Sequence, residues 1–236
     1  MKDVRNYYLK PPNISWGIIF PLSWTLMQML RSYGDVNFAE IRRLLPGLIS
    51  MSVLFGTTSM LAVTITFERR GRSFERLLLA PIPISAMVAA KLSGAVIFGM
   101  FNAFVPAILA ALLVDLAGVK WGAVLGAVFL IALNSTLLGL MIAVSAREVF
   151  EAQTFSNFFR FPMLFLCGLF IPVTSLPVYL RPVSFLLPLT YGTDLLNRWI
   201  LGNSMLPSEL CILVLVGYAA GLFVICQYNI QRKWIL

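Results

Sequence analysis

Residues 44–67 read LLPGLISMSVLFGTTSMLAVTITF, and the charged triplet Glu68-Arg69-Arg70 follows them directly. These 24 residues include no charged side chain. Because a helix rises about 1.5 Å per residue, a helix of this length crosses the roughly 30 Å hydrocarbon core of a bilayer. The stretch therefore predicts a membrane-spanning helix that ends where the charges begin.

The composition of the whole chain agrees with this prediction. Of its 236 residues, 59% are hydrophobic and only 12% are charged, and the mean hydropathy is +0.88. A soluble domain is about half apolar and one quarter charged. The composition therefore excludes a soluble globule, a disordered chain and a nucleic-acid-binding module, and it makes the lipid bilayer the chain's obligatory partner. The net charge of +8 then reports on membrane topology rather than on nucleic acid.

Catalytic residue types are scarce. The chain has no histidine, which removes the commonest metal ligand and general base and argues against a membrane-embedded hydrolase. Its three cysteines, Cys167, Cys211 and Cys226, lie in apolar stretches without metal-type spacing, so we interpret them as packing residues. The sequence also lacks a G-x-x-x-x-G-K-[ST] phosphate-binding loop. We therefore expect no enzyme activity, metal site or bound cofactor in this chain.

Five further apolar runs predict helices that cross the membrane, since backbone polar groups must be satisfied internally there. The short link at residues 115–120 predicts that spans three and four form an antiparallel hairpin. The first run resembles a signal peptide in its basic lead, but residues 27–31 lack a small-residue cleavage pattern. The fold class is thus an all-α membrane protein with six helices in a single domain, residues 1–236. The predicted spans cover residues 14–30, 44–67, 92–114, 121–145, 158–171 and 210–227.

The distribution of basic residues predicts the orientation. With the N-terminus inside, twelve Lys and Arg residues fall in cytoplasmic segments and six fall outside, whereas the acidic residues divide equally. Cytoplasmic loops carry the excess of Lys and Arg in membrane proteins. Both termini are therefore expected in the cytoplasm, with the protein in the plasma membrane.

The segment at residues 67–91, FERRGRSFERLLLAPIPISAMVAAK, is patterned rather than a plain linker. On a helix its apolar residues and its arginines fall on different faces, which is typical of an amphipathic helix at the membrane surface. Pro81 and Pro83 would stop this helix. Two interpretations stay open: attraction to anionic lipid headgroups, or docking of a cytoplasmic partner. The apolar face holds Phe67, Gly71, Phe74 and Leu78, and the basic face holds Arg69, Arg72 and Arg76.

A second patterned segment, residues 172–208, lies on the predicted outer side. Prolines interrupt it too often for a full span. Residues 183–187 and 195–201 are nevertheless too apolar to lie in water, so they predict short re-entrant or interfacial helices. A hydrophobic loop packed on the bundle is the alternative. The aromatic residues expected at headgroup depth are Tyr179, Tyr191 and Trp199.

These two segments resemble the ABC-2 type transporter permeases. The cytoplasmic resemblance is carried by residues 73–78 (SFERLL), residues 80–82 (API) and Lys91. The outer resemblance is carried by residues 172–177 (PVTSLP), 188–191 (PLTY) and 194–196 (DLL). The chain departs from the family pattern at three places: Arg72-Ser73 stand where Gly-Thr is common, Leu187 replaces a common Asn, and Asn197 intervenes before Arg198.

The resemblance implies a membrane subunit of an ATP-binding cassette exporter that works by alternating access. Two such subunits, identical or paralogous, would pair, and each would dock on a separate ATP-binding subunit that holds ATP and magnesium. The expected cargo is an amphipathic drug, a lipid or a lipid-linked glycan. Residues 67–79 resemble the family's coupling helix, in which the residues expected to meet the ATPase are Glu68, Arg69, Arg70, Arg72, Ser73, Glu75 and Arg76. The outer segment resembles paired re-entrant helices, with Pro172, Pro177, Pro188, Thr190, Tyr191 and Asp194 at the matching positions.

An ion-coupled secondary transporter is the alternative function. Such a protein is expected to place an ionisable residue near mid-membrane, and many also contain an internal repeat. We see no repeat, and the predicted spans place the candidate charges, Glu68, Asp115, Arg147 and Arg160, at or near span ends. Two glycine pairs with small-xxx-small spacing predict close packing between helices of the chain, with a seam between two subunits as the alternative. The pairs are Gly122 with Gly126 and Gly217 with Gly221.

Overall fold

A computed structural model describes residues 15, 19–34, 38–71 and 83–234. The ordered elements within these ranges are helices, with no β-strand among them, which confirms the all-α prediction. A single 3₁₀ turn, Val173–Ser175, precedes the short helix α6. The α-helices are α1 Phe20–Gly34, α2 Phe38–Arg70, α3 Ile84–Ala111, α4 Trp121–Ser145, α5 Val149–Leu166, α6 Arg181–Phe185, α7 Pro188–Leu201 and α8 Ser208–Trp234.

Four of the described helices, α2, α3, α4 and α8, are long and apolar enough to cross a membrane. Helix α2 is the centre of the bundle and packs against α1, α3, α4, α5 and α7. All of its most apolar 18 residues are buried, compared with 22% of the corresponding stretch of α8. Helix α8 therefore lies at the periphery, where apolar side chains such as Leu213 are exposed.

Residues 44–67 of α2 suit this central position because their polar side chains are all Ser or Thr. Thr57 and Thr58 are fully buried, and their hydroxyls donate to the carbonyls of Val53 and Leu54 at 2.8 and 2.7 Å. A hydroxyl that bonds four residues back along its own helix leaves no unsatisfied donor at its position. Neighbouring helices can therefore pack directly against Thr57 and Thr58.

The observed bounds of α4 agree with its predicted span, whereas those of α2 do not. Helix α4 covers the same residues as the fourth predicted span, whereas α2 extends past residues 44–67 at both ends. Hydropathy locates the first charged side chain, but a helix continues while its backbone hydrogen bonds continue. Charged residues at Arg42 and at Glu68–Arg70 are therefore part of α2.

Helix α5 begins at Val149, nine residues before the fifth predicted span, and ends at Leu166. The polar residue Ser156 lies on its buried face, where its hydroxyl donates to the Ala152 carbonyl at 2.7 Å and is thus satisfied within the helix. The helix ends before Gly168, whose φ of 77° lies in the left-handed region that favours glycine. The fifth predicted span, which ends at residue 171 just before Pro172, therefore extends beyond the observed end of the helix.

The closest approach between α2 and α4 depends on Gly139. A Cβ atom added at Gly139 would lie 2.7 Å from the Thr58 carbonyl oxygen of α2. By contrast, added Cβ atoms at the four glycines predicted from their spacing meet nothing within 4 Å in the described part of the chain. The prediction that Gly122, Gly126, Gly217 and Gly221 pack helices of this chain together was therefore wrong. Spacing locates a face of a helix but not the neighbour on that face.

Candidate functional site

The described parts of the first patterned segment, residues 67–71 and 83–91, lie at one end of the bundle, and the second patterned segment lies at the other end. Helices α2 and α4 end, and α3 begins, at what we call the Arg70 end. Helix α3 ends, and α4 and α8 begin, at the Trp121 end, where the Lys120 amide donates to the Trp199 carbonyl at 3.4 Å. Arg70 and the segment at residues 172–208 therefore lie at opposite ends of the bundle.

Glu68 is engaged within the chain at the Arg70 end. Its side chain is 4% exposed and forms an ion pair with Lys91. The pair joins the end of α2 to the first turns of α3. A buried carboxylate needs such a partner because desolvation of an isolated charge is costly.

Arg69 binds the end of a second neighbour. Its Nη1 donates to the Ala146 carbonyl at 3.0 Å and to the Ala143 carbonyl at 3.4 Å. These carbonyls close the last turn of α4, where a cation interacts favourably with the helix dipole. Glu68 and Arg69 thus tie α3 and α4 to the end of α2.

Arg70 differs from its two neighbours because its side chain is exposed at the end of α2. Residues 67–70 continue α2, so the predicted helix at residues 67–79 has no separate start at Phe67. The other four residues expected to meet an ATPase, Arg72, Ser73, Glu75 and Arg76, lie outside the described residues.

At the Trp121 end, Asp194 organises the segment that connects α7 to α8. Its carboxylate is 4% exposed, and it accepts the amides of Met205 at 2.8 Å and Leu206 at 3.0 Å. The Cys211 thiol contacts the same carboxylate at 3.8 Å. This side chain therefore holds the α7–α8 connection and has its main acceptor sites occupied.

Hydroxyl groups fasten α7 to α6. Thr190 donates to the Ser184 carbonyl at 2.5 Å, and Tyr191 donates to the Phe185 carbonyl at 2.8 Å. Burial raises the pKa of the Tyr191 hydroxyl, so it remains a donor at neutral pH. Two helices therefore overlap the predicted residues 183–187 and 195–201 and form a hydrogen-bonded pair, although α6 ends two residues earlier and α7 begins seven residues earlier than predicted. Their re-entrant position stays a prediction.

The prolines of this segment mark where elements begin. Pro172 directly precedes the 3₁₀ turn, and Pro188 is the first residue of α7, a position that has no helical partner for an amide. Pro177 lies between the turn and α6, and its carbonyl accepts the Leu180 amide at 2.9 Å. These three residues shape the backbone and carry no chemistry of their own.

A polar cavity of about 290 Å³ opens beside α7. Arg43 from α2 and Asn197 from α7 line it together with three of the predicted outer residues, Pro172, Thr190 and Asp194. Tyr191, Pro177 and Pro188 do not line it. Among the residues that the structure describes, no group of three or more His, Cys, Asp or Glu residues could hold a metal ion.

Arg160 is the functional candidate that the sequence analysis placed wrongly. It is fully buried in α5, and its Nη2 donates to Ser59 Oγ of α2 at 2.7 Å. Its guanidinium also lies 5.1 Å from the ring centroid of Phe55 and 3.4 Å from Asn157 Oδ1. About 16 Å of helix separates it from Val149, so it lies well inside the bundle.

The error followed from the position assigned to the fifth span. A span at residues 158–171 puts Arg160 at its end, whereas a helix from Val149 puts it on the buried face. The recurrence of Ala152, Ser156 and Arg160 at intervals of four was the signal that was available. Arg160 must also be removed from the basic residues counted as cytoplasmic, which leaves eleven against six and the same predicted orientation.

Known proteins resemble this chain along nearly its whole length. Residues 1–200 match the family model described as ABC-2 type transporter. The inner membrane transport permease YadH of Escherichia coli (strain K12) is 28% identical over 95% of this chain and 87% of its own length, and YadH of Shigella flexneri matches equally. Nodulation protein J of Rhizobium meliloti (strain 1021) is 26% identical over 91% of this chain and 82% of its own length.

Proposed function

Because this chain belongs to the ABC-2 type transporter family, we propose that it is the membrane subunit of an ATP-driven exporter. The chain is a multi-pass membrane permease. In the proposed transporter, a separate ATP-binding subunit that holds ATP and magnesium drives export.

The continuity of α2 is the observation that carries the proposal. One helix runs from the bundle centre to Arg70, and the segment of the predicted coupling helix follows immediately. A displacement applied at Arg70 would reach the core along one continuous helix. Glu68 and Arg69 would pass it on to α3 and α4 through the ion pair with Lys91 and the bonds to α4 carbonyls.

The predicted coupling residues then divide into two groups. Glu68 and Arg69 anchor the end of α2, whereas exposed Arg70 and the following Arg72, Ser73, Glu75 and Arg76 would meet the ATP-binding subunit. Such coupling needs no catalytic residue in this chain. It needs a bundle with two packed arrangements whose populations the ATPase shifts.

We also propose that the chain crosses the membrane six times. Helices α1 and α5 would supply the two crossings beyond the four long apolar helices. Helix α5, with 18 residues, is about 27 Å long, and α1, with 15, needs some of the residues before Phe20 to reach across. The Arg70 end and both termini would then face the cytoplasm, and α6 and α7 would lie re-entrant at the outer leaflet.

A second permease, either a copy of this chain or a paralogue, would complete the transporter. Apolar side chains available to it, or to lipid, include Leu30 of α1, 72% exposed, and Phe158 of α5, 71% exposed. The transported molecule is proposed to be amphipathic or lipid-like: a drug, a lipid or a lipid-linked glycan. The low polarity of the bundle supports this class.

Charge reversal in the coupling segment tests the proposal. Arg72→Glu with Glu75→Arg should lower copurification of the ATP-binding subunit and should uncouple ATP hydrolysis from uptake into inverted membrane vesicles. Arg232→Glu, an exposed change near the end of α8, is the matched control and should leave both unchanged. Wild-type assembly and transport in the double variant would overturn the assignment of this segment.

Arg160 favours a second candidate function, an ion-coupled secondary transporter. A buried cation inside the bundle is a feature expected of such proteins. Proteoliposomes that contain only this chain distinguish the two functions. Uptake driven by an ion gradient, with no nucleotide or ATPase present, would support the second candidate and overturn the first.

A further inference from the structure

A second cavity, of about 240 Å³, lies beside the connection between α6 and α7. Five helices and this connection contribute to its wall, which is apolar except for three residues, Asn134, Ser135 and Tyr218. The cavity lies apart from the polar cavity beside Arg43 and shares none of its lining residues. Neither the coupling mechanism nor the outer segment accounts for it.

Asn134 of α4 lines this cavity and is 3% exposed. Its Nδ2 donates to the Leu130 carbonyl at 2.9 Å and to the Leu215 carbonyl of α8 at 3.1 Å. These two bonds fix the orientation of the amide, since the flipped amide would point its oxygen at two carbonyl oxygens. The remaining atom, Oδ1, has no hydrogen-bond partner among the described residues.

A buried hydrogen-bond acceptor needs a donor. Because the rest of the cavity wall is apolar, we expect the ligand that supplies this donor to be largely apolar itself. The cavity is smaller than the roughly 300 Å³ of the smallest sites for drug-sized ligands. It can therefore hold one end of a longer molecule. The bilayer supplies such molecules, and Leu186 at the cavity is 69% exposed. Bulk water is a poor occupant, because apolar cavities with few polar partners stay dry.

We propose that this cavity binds the hydroxyl-bearing end of a lipid-like molecule from the bilayer, with the hydroxyl donating to Asn134 Oδ1. The site is independent of the proposed ATP-driven export, since it requires only the fold of this chain. Its wall includes Tyr218 of α8, whose hydroxyl donates to the Leu186 carbonyl at 2.6 Å. This bond joins α8 to the connection between α6 and α7 beside the cavity.

Photolabelling with two matched probes tests the proposal. The probes are a long-chain alcohol with a diazirine near its hydroxyl end and the O-methyl ether of the same molecule, which lacks only the donor. The protein is held in phosphatidylcholine nanodiscs, because that lipid has no hydroxyl donor. Labelled peptides are identified by mass spectrometry.

The alcohol should label wall residues 186–189, Leu215, Tyr218 and Leu222 about fivefold more than the ether, the ratio that one neutral hydrogen bond gives. Asn134→Leu, a change of similar volume, should abolish this preference. Asn102→Leu is the matched control, since Asn102 of α3 is equally a buried asparagine but does not line the cavity. It should retain the wild-type preference.

Filling the cavity provides an independent variant. Leu222→Trp should suppress wall labelling by both probes. Equal labelling by alcohol and ether in the wild-type protein would overturn the proposal, and this comparison requires no variant to fold. A preference that persists in Asn134→Leu, or wall labelling that persists in Leu222→Trp, would overturn it as well.

Discussion

Arg160 of α5 donates a hydrogen bond from Nη2 to Ser59 Oγ of α2 at 2.7 Å, and the contact joins the two helices inside the bundle. The guanidinium is fully buried, and no Asp or Glu in the described part of the chain forms an ion pair with it. The Phe55 ring at 5.1 Å supplies a cation–π contact. The effect of a substitution on the free energy of unfolding should therefore depend strongly on whether Ser59 or Arg160 is replaced.

Ser59→Ala should lower the free energy of unfolding by about 1–3 kcal/mol, because it leaves a buried guanidinium without its shortest hydrogen bond. The measurement is unfolding of the purified protein in mixed micelles of increasing denaturing-detergent content. Ser50→Ala is the matched control on the same helix, since the Ser50 hydroxyl is buried and has no hydrogen-bond partner among the described residues. The control should change stability little or raise it.

Arg160→Met should be less destabilising than Ser59→Ala and is expected to be neutral or stabilising. Replacing a buried charge by an apolar side chain of similar length removes its desolvation cost. The same unfolding experiment measures it. A larger loss of stability in Arg160→Met than in Ser59→Ala would contradict this account and would show that the cation itself stabilises the fold.

Gly139→Ala should destabilise the protein by about 1–3 kcal/mol, the usual cost of overpacking. The added methyl carbon would lie 2.7 Å from the Thr58 carbonyl oxygen, and neither backbone can withdraw easily. Gly126→Ala on the same helix is the control, because its added carbon meets nothing within 4 Å. Equal melting temperatures for the two variants would mean that α2 and α4 do not approach at Gly139.

Glu68→Gln should destabilise the Arg70 end, because it leaves Lys91 facing a neutral group in a largely buried position. Exchanging the charges in the double variant Glu68→Lys with Lys91→Glu should recover part of the loss. Unfolding free energies of the wild type, Glu68→Lys, Lys91→Glu and the double variant give the coupling energy directly. Additive effects would contradict the ion pair.

Asp194→Ala should loosen the connection between α7 and α8, because the amides of Met205 and Leu206 lose their acceptor. The expected observation is faster amide hydrogen exchange at residues 202–206 together with a lower melting temperature. Glu209→Ala, an exposed change in the first turn of α8, is the control. Unchanged exchange in Asp194→Ala would argue against this role of the carboxylate.

Cysteine labelling tests the proposed orientation with little background. The native residues Cys167, Cys211 and Cys226 are fully buried, so they should react slowly with a membrane-impermeant maleimide. In intact cells Ser204→Cys should be labelled and Gln231→Cys should be protected, since the two exposed positions lie at opposite ends of the bundle. The reverse pattern would place both termini outside.

Some features followed directly from the order of residues. The run of 25 residues from Trp121 to Ser145 without a charge defines α4 at both ends. The apolar composition specified an all-helical membrane protein, because backbone groups in lipid must bond within their own segment. The two short motif segments were sufficient to indicate the family, which the family match then showed.

The buried neighbours of each side chain could not be predicted in this way. Hydropathy averages all faces of a helix, so it placed Arg160 at a span end, and spacing alone selected Gly122 and Gly126 over Gly139. Likewise, the charges of Glu68 and Arg69 indicated a surface, whereas tertiary contacts turn both toward α3 and α4. Sequence by itself determined which segments enter the membrane, because transfer of a segment into lipid depends on its composition. Only the tertiary structure decided which charges and glycines lie inside, because that depends on which faces of different helices meet.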